Sequence, residues 1–161
     1  MIKMKQELKK EFADRMIRSN RSELIVILYE LIFAYFDDVR EDFEQGDWEA
    51  TKRDLDNAER VIRRLMDDLN FLYPISKQFF SLYHFSLKEL SKIRIKKNIE
   101  PLADVEKILR NLYDSFAEIA KNDHSPAIMK NVEQVTVGLT YGKNNIQEIY
   151  SDLDNKRGFY V

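Results

Sequence analysis

A chain of 161 residues, with 26 Lys and Arg against 28 Asp and Glu and a net charge of −2, has the size of one domain with a substantial core and no bulk positive field to attract a polyanion. It contains no cysteine, which removes disulfides, thiol catalysis and zinc–thiolate sites and suits a reducing cytoplasm. Four Gly and three Pro, placed at segment edges, indicate helices joined by short turns, an all-α protein.

The opening MIKMKQELKKEF carries charges where a signal peptide needs an apolar region, so no secretion signal is expected. From about Lys3 to Arg18, Met4, Leu8, Phe12 and Met16 recur at i, i+4 on an otherwise charged surface. This spacing predicts a first helix that leans on a bundle rather than forming its centre.

A second helix is predicted from about Arg21, because Asn20 is a good N-cap and Glu23, three residues on, completes a capping box. It ends near Gly46. Between Leu24 and Phe36 its only charge is Glu30, and a run of 13 residues with Glu30 inside falls short of the ~20 a membrane span needs. On a helical wheel Leu24, Ile25, Leu28, Ile32, Tyr35, Phe36, Val39 and Phe43 form a broad core face opposite Glu30, Asp37 and Glu41. Two apolar flanks are left, Val26, Tyr29 and Phe33 on one side and Ile27, Leu31 and Ala34 on the other. Either this is a central helix packed by two or three neighbours, or one flank is a groove for an amphipathic partner segment.

A third helix is predicted after Asp47, with Trp48, Leu55, Ala58, Val61, Ile62, Leu65, Met66 and Leu69 on one face. Pro74 and Pro101 suit the first turns of a fourth helix, carrying Ile75, Phe79, Leu82, Tyr83, Leu87, Leu90 and Ile93, and a fifth, carrying Leu102 through Ile119. Together these predict an antiparallel four-helix bundle with an additional N-terminal helix, a unit spanning residues 1–124. Residues 125–161 form a C-terminal extension, with Gly138 and Gly142 interrupting an apolar pattern that runs to Val161.

Charge is blocked along the chain: residues 1–22 sum to +4, 23–44 to −6 and 75–99 to +5, the pattern of neighbouring helices that complement each other. A di-metal bundle site would need Glu-x-x-His pairs. Ser81 stands three before His84 and Lys121 three before His124, so no metal, catalytic residue or cofactor is assigned. The cluster Lys88, Lys92, Arg94, Lys96 and Lys97 supports a rival reading as a helical nucleic-acid-binding or regulatory protein, although a helix C-terminus already favours basic residues.

The stretch NRSELIVILYELIFAYFDDVREDFEQGDWEATKRDLDNAERVIRRLMDDL resembles the first two long helices of the flagellin export chaperone family, FliS. Its E-L-x-L-x-L-Y start is matched by Glu23, Leu24, Leu28 and Tyr29, its G-D turn by Gly46 and Asp47, and its A-x-x-I-I-x-x-L face by Ala58, Val61, Ile62 and Leu65. LYHFSLKEL, from Leu82 to Leu90, is similar to the family's L-Y-x-Y-x-x-x-x-L helix, and the fifth helix to its last one, with Phe116 at an aromatic position. The likeness runs from Asn20 to Ala120. This chain departs from the pattern at Arg21, where Pro is usual, at Glu30-Leu31, where a small residue follows the tyrosine motif, in its charged first helix, and in residues 125–161.

The resemblance implies a cytoplasmic, non-enzymatic chaperone that binds the C-terminal segment of flagellin, prevents premature polymerisation and hands it to a component of the flagellar export gate. It implies neither nucleic-acid binding nor membrane insertion. Client contacts are then expected at Ile27, Leu28, Tyr29, Leu31, Phe33, Ala58, Ile62, Leu65, Leu82 and Tyr83, and in the absence of client the same apolar flank offers a route to a homodimer. The extension at 125–161, expected to be partly helical or mobile, either packs elsewhere or lays its apolar residues over the client groove in the free protein as a displaceable cover.

Overall fold

The computed structural model describes residues 6–129. Its order is α1 (Gln6–Arg18), α2 (Arg21–Glu44), α3 (Trp48–Asp67), α4 (Ile75–Lys96) and α5 (Pro101–Asn122), an all-helical bundle. None of these helices is long and apolar enough to cross a membrane.

Local chemistry sets the boundaries. At the start of α2 the Asn20 side chain accepts from the Glu23 amide at 2.9 Å and the Glu23 carboxylate accepts from the Asn20 amide at 3.1 Å, a complete capping box. The other end closes in a Schellman turn: the Gly46 amide donates to the Phe43 carbonyl at 3.0 Å and the Asp47 amide to that of Asp42 at 2.9 Å. Gly46 sits at φ +77°, in the left-handed region, so its lack of a Cβ matters here. Asp47 then accepts from the Ala50 amide at 3.0 Å and starts α3, which leaves two residues to reverse the chain. Pro101 opens α5, where a missing amide proton costs nothing.

The four long helices pack in a ring, α2 on α3, α3 on α4, α4 on α5 and α5 back on α2. The interior is filled by Leu28, Ile32, Phe36 and Val39 from α2, Leu55 and Ile62 from α3, Leu90 and Ile93 from α4, and Leu102 and Leu109 from α5. Outside the ring, α1 packs on α2. Its buried face is Phe12, Ala13, Met16 and Ile17, while Leu8 is exposed and Met4 lies outside the described residues. The expected stripe holds at Phe12 and Met16 and is widened by their neighbours Ala13 and Ile17 toward the C-terminal end of the helix.

The charge blocks pair across neighbouring helices. Arg15 of α1 meets Glu30 of α2 at 2.6 Å, Arg40 of α2 meets Glu106 of α5 at 3.1 Å, and Arg94 of α4 meets Glu59 of α3 at 2.8 Å. Each is partly exposed and contributes at most about 1 kcal/mol, so these pairs orient the helices more than they hold them.

After α5 the chain turns back onto the α1–α2 joint. The Asn20 amide group donates to the carbonyls of Asp123 and Ser125 at 3.1 and 3.2 Å, Ser22 donates to the Asp123 carboxylate at 2.6 Å, and the Ile128 amide donates to the Ser19 carbonyl at 3.1 Å. Hydrogen bonds from Ser125 and Ser22 hold the Asp123 carboxyl down at about 2, so it is charged at neutral pH.

Candidate functional site

The α2 segment carries too many apolar residues for one buried face, and the structure divides them among three neighbours. The core face packs on α3 and the ring interior. The Tyr29 and Phe33 flank meets α5: Tyr29 stacks on Phe116 with centroids 5.7 Å apart, Phe33 meets Tyr113 edge-on at 5.7 Å, and the Arg110 guanidinium lies 3.9 Å from the centre of the Phe33 ring. On the third side Glu30 is held by Arg15 of α1. Glu30 also accepts from the Tyr113 hydroxyl of α5 at 3.4 Å, and Ile27 and Ala34, three residues before it and four after, lie beside it on the helix surface.

Nine of the ten residues expected to contact a client are enclosed by the chain's own neighbours. Leu28, Tyr29, Ala58, Ile62 and Tyr83 are essentially inaccessible, and Ile27, Leu31, Phe33 and Leu65 are buried nearly as well. Leu82 is half-buried. The structure brings Tyr29 and Tyr83 together from diagonally opposed helices, their hydroxyls hydrogen-bonded to each other inside the bundle. Burial raises both phenols above the ordinary tyrosine range, Tyr83 to about 12, so the pair is neutral at physiological pH.

Apolar surface remains open at the end of the bundle where α3 passes into α4. A cleft of about 490 Å³ lies there, walled by Ile25, Leu65, Leu69, Tyr73, Phe79 and Phe116. Leu65 and Tyr83 connect it to the expected client-binding set. The turn above it exposes Phe71 at 53%, Leu72 at 76% and Tyr73 at 64%, and Phe80 alongside stacks on His84 with ring planes 3° apart. Helical periodicity could not single out these residues, because the turn has no period. The available signal was the composition of NFLYP, three large apolar residues in a connection that normally carries polar ones.

The basic segment of α4 is engaged with acidic and aromatic partners. Arg94 also reaches Asp56 of α3 at 2.5 Å, Lys92 meets Glu89 at 2.9 Å, and the Lys97 ammonium lies 5.6 Å from the centre of the Trp48 ring.

A comparison with curated proteins finds no match. Residues 4–123 match the family model of the flagellar protein FliS, three quarters of the chain and all five helices. Its all-helical bundle and the extent of that match make this chain a member of the FliS family, with the flagellar export chaperone role that membership implies.

Proposed function

We propose that the protein is a cytoplasmic chaperone that binds the C-terminal segment of flagellin, keeps it from polymerising early and supports its delivery to the type III export gate. A filament subunit's terminal helices bury their apolar stripes only against other subunits, so a free subunit gains from a surface that replaces them. The observation that carries this reading is the position of α1. It packs on α2 outside the four-helix ring, with four buried apolar side chains and a partly exposed ion pair between Arg15 and Glu30.

An amphipathic client helix that displaces α1 exchanges one set of apolar contacts for another. Ile27 and, one turn on, Leu31 then become the contact surface. Leu28, Tyr29, Phe33, Ala58, Ile62, Leu65 and Tyr83 support that surface from within, whereas Leu82, on the diagonally opposed α4, is not part of it. Because α1 competes with the client, the apparent affinity is the intrinsic affinity reduced by the closed fraction.

Calorimetric titration of the full chain with a flagellin C-terminal segment tests the reading. The wild type is expected to bind, and Met16→Ala, which loosens α1 by about 2 kcal/mol, is expected to bind up to about thirtyfold more tightly. No binding by either protein overturns the flagellin assignment. Binding that Met16→Ala leaves unchanged overturns the displacement of α1 alone.

A further inference from the structure

The family match stops at Asp123, yet the chain continues to Val161, and the first residues beyond the match are already seated on the bundle. Ile128 is hydrogen-bonded to Ser19 and packs against the core, and Met129 is 8% exposed, as buried as many core positions. This anchorage lies at the end of the bundle that carries the apolar cleft. Ser19, which receives the Ile128 amide, is two residues from Arg21, and Arg21 lines the cleft. Two residues span at most about 7 Å.

We propose that the segment beyond residue 129 docks in cis into the cleft walled by Leu69, Tyr73, Ile75 and Phe79. Three observations favour this occupant. The 32 residues from 130 to 161 start beside the cleft, and even the first six of them reach about 20 Å when extended. They include Val135, Val137, Leu139 and Tyr141 at alternate positions, a sequence pattern with a single apolar side. The turn residues Phe71, Leu72 and Tyr73 form an apolar patch continuous with the cleft, of the kind that a soluble protein ordinarily covers. An intrachain occupant has a high effective concentration and needs only modest intrinsic affinity. The proposal concerns this chain's own extension and does not depend on which client the bundle carries.

The chain has no cysteine, so pairs can be introduced into the full-length protein without background. Leu72→Cys with Leu139→Cys reports the cleft, and Lys96→Cys with Leu139→Cys is the control, since α4 separates these two exposed positions by about 33 Å. With a short bismaleimide at low protein concentration, the cleft pair is expected to form an intramolecular crosslink at least about tenfold faster than the control. Tyr73→Asp, at an exposed position in the cleft wall, is expected to remove that advantage while leaving the helical circular dichroism unchanged. Equal rates for the two pairs overturn the proposal. So does a predominantly intermolecular product that grows with protein concentration, which assigns the cleft to a second copy, or an advantage that survives Tyr73→Asp.

Discussion

Tyr29 and Tyr83 show how one pair of polar atoms can be held inside an apolar bundle. Each phenol is enclosed, and each has the other as its hydrogen-bond partner. Replacing Tyr83 with Phe leaves the Tyr29 hydroxyl buried without a partner, which is expected to cost about 1–3 kcal/mol. Replacing both is expected to cost less than the sum of the two single changes, and urea titration of the four proteins in a double-mutant cycle reads the coupling. The same pair gives an alkaline signature. Its folded values lie above the unfolded value of about 10, so its contribution is fully present below pH 10 and is lost as pH rises toward about 12. The double Phe variant loses that part of the decline, visible as a flatter urea midpoint between pH 9 and 11.5.

Among the elements, the connection between α2 and α3 is the tightest, and its chemistry was largely legible in the chain. Gly46 is followed by an aspartate that serves both the turn and the next helix. A Cβ at position 46 would meet nothing within 4 Å, so Gly46→Ala is opposed by backbone strain alone. It is expected to destabilise the protein by about 1 kcal/mol, measured as a lowered denaturant midpoint with an unchanged slope. The capping box at Asn20 and Glu23, and the prolines opening α4 and α5, were legible for the same reason: a cap involves residues within about four positions of one another. The buried face of α1 was less so. Its spacing allowed a stripe through Leu8, and only contact with α2 decides that Ala13 and Ile17 are covered while Leu8 is open.

At the scale of the whole molecule, Asn20 joins parts of the chain that are far apart in sequence. It caps α2 and also reaches Asp123 and Ser125 beyond α5. Asn20→Ala is expected to cost about 1–2 kcal/mol through the cap. It is also expected to release the segment after α5, so that the Ile128 amide loses protection in hydrogen exchange while the α3 and α4 amides lose protection only in proportion to global stability. A role confined to the cap would change all amides together. This joint gathers the end of α1, the start of α2 and the root of the extension at one pole of the bundle, beside the only large apolar turn among the described residues.

Among the described residues the sequence by itself determined the type and approximate ends of the helices, because those depend on neighbours three or four residues apart: caps, glycine and proline positions, and one apolar period repeated over long segments. It also carried the family, through the order and spacing of short motifs along α2 to α5. What only the tertiary structure decided is which apolar surfaces are covered. Periodicity states that a face of α2 avoids water but not which partner covers it, and here α3, α5 and α1 share that task. The surface left open arises instead in the aperiodic turn at Phe71, Leu72 and Tyr73, where exposure follows from how four helices meet at one end.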